Sequence, residues 1–465
     1  MLFNSAGFIL VFLPIYLLIV YCAPRGYTKS AALVLFSYLF YAGAEPFFVL
    51  ILIFSSFVDY CAALQIFSSS RIIIKRFWLS ASIIVNLGLL GFYKYGGWVF
   101  PYLSPILEPM GLPLPAADFF QGYYLPAGIS FYTFQSMSYS FDVYKGTVRP
   151  ERNLLSFCNY IAYLPQLIAG PIERFNKLHP QLLKLIDGRS TIHWSEGLDR
   201  IALGIAQKLL VADSCGLIVD RSLQAGTDYS WIDAWVIALG FGMQIYYDFA
   251  AYTHIAIGIA LIMGIRLSEN FNSPYKARNI QEFWRRWHMT LSSWFRDYVY
   301  IPMGGSRVGL VRTSFNILVT FLLIGFWHGA GWNFVVWGLL HGILLAGFRL
   351  KNQYLHYWII PPPVAIGLTL MVVHFVWIPF RVEDSVQVVT IWQGMLGLHE
   401  IGPQISSMPD IVFLLLILAA TLSFPNASER WPGISGWAES TALAVLGLFA
   451  ILNSPQITQF IYFQF

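Results

Sequence analysis

Residues 266–307 read RLSENFNSPYKARNIQEFWRRWHMTLSSWFRDYVYIPMGGSR, and after an apolar run residues 325–342 read GFWHGAGWNFVVWGLLHG. The first stretch is basic and aromatic. The second sets His328 and His341 in sequence otherwise fit for a bilayer. An ionisable side chain at that depth costs on the order of a few kcal/mol unless it is partnered, so an intramembrane histidine is a functional candidate. The remainder of the chain reads as scaffold around these two stretches.

Composition decides the class. Of 465 residues, 57% are hydrophobic, 17% aromatic and only 11% charged, where a soluble domain carries about 25% charged residues. Many apolar segments approach the ~20 residues that span a bilayer. The expected fold is therefore an all-α polytopic integral membrane protein, with about 10–12 transmembrane helices plus re-entrant or interfacial pieces. A single domain over residues 1–465 is expected, with the chemistry concentrated in the block 266–342. Four scattered cysteines show no metal-binding spacing and read as small buried hydrophobes. The first apolar run, Met1–Cys22, has neither a basic leader nor a cleavage site and reads as a retained helix.

Between Arg266 and Arg312 stand eight Lys/Arg and three Asp/Glu. Basic loops of membrane proteins face the cytoplasm. On that rule the clusters Arg25/Lys29, Arg71/Lys75/Arg76 and 266–312 are cytoplasmic and the N-terminus is outside. Residues 95–123, with five prolines and no basic residue, read as an external loop. Among the helix candidates, Ile232–Gly264 is too long for one span and carries Tyr246-Tyr247-Asp248 midway, which predicts a break or a steep tilt. A last candidate falls at Ala442–Leu452.

Taken as one helix, Glu282–Tyr298 places Trp284, Trp287/His288, Leu291, Trp294/Phe295 and Tyr298 on one face. Arg285, Arg286, Ser292, Ser293 and Arg296 fall mostly on another. Such a helix suits the membrane interface or dips into the protein. Upstream, NFNSPYKARN offers cations and amide donors. A phosphate-rich ligand such as coenzyme A could be held there, and a lipid-headgroup anchor fits the same pattern.

Around His328, Gly325, Gly329, Ala330 and Gly331 leave room for close approach. A neutral imidazole is suited to take a proton from a hydroxyl; a hydrogen-bonded core histidine is the competing reading. His341, thirteen residues on, falls about 220° around a continuous helix and reads as structural or as a support behind the site. His254, six residues from Asp248, suits either a relay or an interhelical hydrogen bond.

Eight blocks carry a family resemblance in order: FLPIYLLIVY, NLGLLGFYKY, GISFYTFQSMSYSFDVYKG, LPQLIAGPIERF, QIYYDFAAYTHIAIGIALIMGIRLSENFNSPY, EFWRRWHMTLSSWFRDYVYIPMGGSR, FWHGAGWNFVVWGLLHG and the terminal FIYFQF. Together they resemble the membrane-bound O-acyltransferase superfamily, in particular its bacterial branch of alginate O-acetyltransferase membrane subunits. The resemblance implies a funnel through the protein with His328 as the catalytic residue at its centre. It also implies a second polar residue, here His288, where many eukaryotic relatives carry Asn. Arg278, Arg285 and Arg286, with Trp287 and Asn270 beside them, become candidates for binding the donor. The donor would be acetyl-CoA or another acyl thioester entering from the cytoplasm, with no permanently bound cofactor and no metal. The setting would be the bacterial inner membrane. An extracytoplasmic O-acetyltransferase partner would receive the acetyl group for a polysaccharide, whether alginate, cellulose, another exopolysaccharide or peptidoglycan. His328 would act as general base or carry the acyl group itself.

Three rivals remain open at this point. A teichoic acid D-alanyl transfer protein would take its acyl group from a carrier-protein thioester; the IPMGGSR block looks more like the acetyl branch. A proton-coupled transporter also suits many helices and an intramembrane His, although no inverted repeat stands out. The third is a membrane anchor for a soluble acetylase.

Overall fold

The computed structural model describes residues 7–43, 45–111, 125–224, 228–354, 360–398, 405–426, 445–447 and 460–461. Among these, every regular element is helical. A hydrocarbon core offers no water to backbone N–H and C=O groups, and a helix satisfies them within its own segment. Among the described residues, seven helices are long and apolar enough to cross a membrane: Phe47–Ser68, Ile72–Met110, Trp194–Gln224, Trp231–Ile262, Leu310–His328, Trp332–Tyr354 and Pro362–Arg381. Phe8–Cys22 and Met408–Ser423 are shorter apolar helices. The protein is a multi-pass, all-helical membrane protein. The candidate Ala442–Leu452 lies outside the described residues except for Val445–Gly447.

Two expectations are corrected. Trp231–Ile262 is one unbroken helix of 32 residues. Its polar centre needs no break, because Lys208 pairs with Asp248 at 2.7 Å and with Asp213 at 2.7 Å. Protein also surrounds the helix: 94% of its most apolar window is buried, against 11% for Ile72–Met110. Polar residues in its middle therefore meet side chains rather than lipid. Residues 95–123 are not wholly a loop either. Gly96–Leu107 continues the preceding helix through a π-turn at Gly91–Tyr95, despite Pro101 and Pro105; residues 112–123 lie outside the described part.

The chain folds as two compact units, one comprising Met1–Ile201 with Thr253–Ser268, the other Ala202–Tyr252 with Glu269–Phe465. In the first, Phe47–Ser68, Ile72–Leu90 and Ile129–Tyr144 pack against one another. Phe47, Leu50, Phe54 and Phe57 on the first of these, and Ile73, Phe77 and Ile84 on the second, are exposed, an apolar surface fit for lipid. His254 belongs to this unit, where its Nδ1 lies 2.8 Å from the Arg200 guanidinium. It makes an interhelical hydrogen bond there.

In the second unit, Leu310–His328 and Trp332–Tyr354 form a tightly packed helical hairpin. Two glycines permit it. A Cβ on Gly325 would stand 2.4 Å from the Phe334 carbonyl oxygen, and one on Gly338 would stand 2.4 Å from that of Phe321. Small residues facing each other in this way let helix backbones meet where no hydrophobic effect drives them together. Pro362–Arg381 packs against the second helix of the hairpin.

Candidate active site

The basic, aromatic stretch folds as two short helices, Ile280–Arg286 and Met289–Phe295, followed by a π-turn at Arg296–Tyr300. The continuous helix expected over Glu282–Tyr298 is interrupted at Trp287–His288. The upstream loop takes over the backbone groups that a helix would use: Met289 N–H donates to Asn270 C=O at 2.8 Å and Asn272 N–H to Arg286 C=O at 3.0 Å. Asn270, fully buried, also accepts from the Thr290 hydroxyl at 2.6 Å. The Asn279 side chain caps the first helix, accepting from Glu282 N–H at 2.8 Å.

Glu282 then ties the segment together. Its carboxylate accepts from Arg278 N–H at 2.9 Å and from Arg286 Nε and a terminal guanidinium nitrogen at 3.1 and 2.8 Å. Partial burial pushes this carboxyl up. The Arg278 N–H and the Arg286 guanidinium outweigh that and hold it below its ordinary value.

At the break, His288 is fully buried with φ of 40°, in the left-handed region. Only one other non-glycine among the described residues, Ser273, shares that region. A residue held there costs about 1–3 kcal/mol, and such residues concentrate at functional sites. His and Asn enter this region more readily than most side chains. The Phe249 ring stands edge-on to the His288 imidazole at 4.6 Å, and the Trp327 ring lies 6.0 Å away on another side.

Trp327 links the two histidines, since its ring is 4.8 Å from that of His328. His328 ends its helix and is 3% exposed. Trp337 at 4.9 Å and Phe380 at 5.0 Å complete an aromatic enclosure. The chain leaves His328 through Gly329, where a Cβ would collide with the Phe334 ring at 2.1 Å. The FWHGAG sequence thus turns a buried imidazole out of a helix end into a cage of rings.

His341 stands against Trp337 at 4.8 Å. The turn between the helices, rather than a continuous helix, brings it near His328's neighbours. Its Nδ1 accepts from Trp284 Nε1 at 3.3 Å, which leaves the proton of the neutral ring on Nε2. That Nε2 has no hydrogen-bond partner among the described residues, nor do Trp337 Nε1, Trp377 Nε1 and His374 Nε2. Trp337 and Trp377 stack 5.5 Å apart. Buried polar atoms are ordinarily satisfied, so three unpartnered donors and one unpartnered ring nitrogen in a single cluster need a reason.

A cavity of about 690 Å³ lies behind Trp284, the hydrogen-bond donor to His341. Trp284 forms part of its wall, and the arginines Arg285, Arg296 and Arg349 line it. So do Ile317, Thr320, Phe321 and Ile324, one face of the helix at spacings of three and four. One further turn along that stripe is His328.

The structure distributes the expected site residues unevenly. His328 and His288 flank Trp327, and Arg285 faces the cavity. Arg286 is held by Glu282 and by the Asn272 carbonyl. Arg278 borders a separate cavity of about 230 Å³ with Lys351. Trp287 is buried in a stack with Phe283 and Tyr275, and Asn270 braces the helix break. Sequence reasoning passed over Arg349, His374 and the Trp284–His341 bond. Arg349 had a signal: with Leu345, Phe348 and Asn352 it repeats the helical spacing that starts at His341. His374 had none, because Gly242 and Tyr275, which approach it, are remote in sequence. Of the terminal FIYFQF, Phe460 packs on Tyr252 at 4.8 Å and Ile461 N–H donates to Asp248 at 2.6 Å; residues 462–465 lie outside the described part.

Comparison with known proteins agrees with this architecture. The model of the MBOAT, membrane-bound O-acyltransferase family, matches residues 136–356. The peptidoglycan O-acetyltransferase of Helicobacter pylori is 34% identical over all of this chain and 98% of its own length. The probable alginate O-acetylase AlgI of Azotobacter vinelandii is 38% identical over 83% of this chain and 76% of its own length. The teichoic acid D-alanyltransferase of Bacillus subtilis is 28% identical over 49% of this chain and 60% of its own. A ring-walled histidine cluster beside an arginine-lined cavity, on this all-helical scaffold, belongs to a member of the membrane-bound O-acyltransferase family, and the protein is an O-acyltransferase.

Proposed function

We propose that the protein takes an acetyl group from a cytoplasmic thioester, acetyl-CoA, and passes it across the bacterial inner membrane for O-acetylation of an extracytoplasmic polysaccharide, through a periplasmic acetyltransferase partner. The observation that carries this reading is the 690 Å³ cavity, which has three arginines and Trp284 in its wall; Trp284 bonds to His341, whose ring packs on Trp337, the neighbour of His328. Guanidinium groups suit the phosphates of a coenzyme A donor. The apolar stripe from Ile317 to Ile324 suits its slender pantetheine arm.

In this reading His328 is the general base. It accepts the proton of the acceptor hydroxyl as the oxygen attacks the thioester carbonyl; the C–O bond forms, the C–S bond breaks, and the thiolate leaves with the proton that His328 returns. The developing oxyanion needs donors already in place. Trp337 Nε1–H, whose ring lies against His328, fills that role, with His341 Nε2–H behind it against the other side of Trp337. His288, fixed by its backbone at the far side of Trp327, orients the acceptor. The relatives named for alginate and for peptidoglycan acetylation support an acetyl group and a glycan acceptor.

A carrier-protein thioester is the second reading, favoured by the similarity to the D-alanyltransferase over half the chain. Purified protein in proteoliposomes, given labelled acetyl-CoA or a labelled acyl carrier protein on the cytoplasmic face, separates the two. Label reaching an acceptor from acetyl-CoA alone is the expected result. Transfer only from the carrier protein would replace the donor assigned here.

A further inference from the structure

Asp59 sits thirteenth in the 22-residue helix Phe47–Ser68, near the middle of a span, and is fully buried. An ionisable residue there marks an ion or proton site or is held by a partner. Among the described residues its partners include no Lys, Arg or His; they come in two pairs, each one helical turn apart. Ser82 and Asn86 lie on the Ile72–Leu90 helix, and Ser136 and Ser140 on Ile129–Tyr144.

Asn86 Nδ2 donates to both carboxylate oxygens, at 3.0 and 2.8 Å. The Ser82 and Ser136 hydroxyls bond to one oxygen each. Ser140 Oγ is 3.4 Å from Oδ1 and 3.0 Å from Ser82 Oγ. Every one of these side chains is buried. Donors thus converge on both oxygens, and a carboxylate that is ionised deep in a span requires a compensating charge.

A second observation points to what supplies it. Asn86 Oδ1, fully buried, has no partner among the described residues. Flipping the amide does not help, since Nδ2 faces three acceptors, the third being Ser82 C=O at 2.9 Å. Three hydroxyl oxygens thus gather at the carboxylate from two neighbouring helices, and the Asn86 side chain that bonds to it carries an unpartnered carbonyl oxygen.

We propose that Asp59, Ser82, Asn86, Ser136 and Ser140 form a binding site for a hard monovalent cation, sodium. An all-oxygen set selects a hard cation. One carboxylate balances a single positive charge and leaves a divalent ion half compensated. Turning the three hydroxyl hydrogens outward presents the lone pairs of a cage of five or six oxygens, with no change in the covalent structure. The site holds together three helices of the first unit, so occupancy reads out as stability of that unit as well as binding. It rests on none of the residues assigned to acyl transfer.

The test uses the purified full-length protein in detergent. Radioactive sodium should bind saturably and be displaced by unlabelled sodium more readily than by potassium. The unfolding temperature should be higher in sodium chloride than in equimolar choline chloride. Asp59→Asn should abolish both effects, and Ser140→Ala should raise the half-saturating sodium concentration at least about threefold. Were Asp59→Asn to fail to fold, the wild-type binding and Ser140→Ala shift still decide. No saturable sodium binding, identical unfolding in sodium and choline, and an infrared carboxylic-acid band that only Asp59→Asn removes would overturn the proposal and make Asp59 a protonated structural residue.

Discussion

The protein buries polar groups in two contrasting ways. Around Asp59 every polar atom but one is matched, by hydroxyls and an amide from neighbouring helices. Around His328 the walls are aromatic rings, and His341 Nε2, His374 Nε2, Trp337 Nε1 and Trp377 Nε1 face one another's surroundings without partners among the described residues. Matched groups stabilise one arrangement. Unmatched buried donors are costly in the resting protein, and they are the form in which electrostatic stabilisation of a transition state is stored. On the proposed function, the first region is built to hold and the second to react.

The comparison breaks most sharply at His328. In cells, His328→Ala at matched protein level should lower acyl-ester content of the polymer by about 10³-fold, the range for losing a general base, while the unfolding temperature changes little. Trp337→Phe keeps the ring and deletes only the N–H. It should cost about 10²-fold in the transfer rate with donor KM unchanged, as for one oxyanion donor; an unaltered rate would make the unpartnered indole incidental.

His288 sharpens the contrast between side chain and backbone. Since φ there is 40°, His288→Asn should keep the unfolding temperature near that of the wild type. His288→Ala should lose about 1 kcal/mol through the left-handed backbone. Both should slow transfer, and equal stability of the two would remove backbone strain from the account. Arg285→Ala and Arg349→Ala should each raise donor KM about tenfold with kcat nearly kept, measured by varying acetyl-CoA. The smallest effect belongs to Glu282. Its carboxyl is held below the ordinary value, so its contribution is complete above that value and is lost as pH falls through the folded one. Glu282→Gln should therefore lower stability slightly at neutral pH and flatten the acid limb of the unfolding profile.

Much of this was legible in the chain. The charge deficit and apolar runs define a polytopic helical protein, and the apolar run after residue 307 is the span Leu310–His328. His328 stood out because titratable groups are rare in such sequence. The helix over 282–298 misled, because periodicity carries no information about the Asn270 and Asn272 backbone groups that interrupt it. Of the break or steep tilt expected around Asp248, the break did not occur, for the converse reason: Lys208, forty residues upstream, supplies the counter-charge. The cavity wall from Arg349 to Asn352 was readable as a helical stripe once His341 was its starting point, whereas His374 depends on contacts that no spacing records.

The most direct test of the central claim is release of free coenzyme A thiol from acetyl-CoA by purified wild-type protein and His328→Ala, with a glycan acceptor or the partner acetyltransferase present. Thiol release by the wild type, reduced about 10³-fold in a His328→Ala protein that unfolds at the same temperature, is the predicted result. Equal release by the two proteins would contradict the assignment of acyl transfer to the ring-walled cluster around His328.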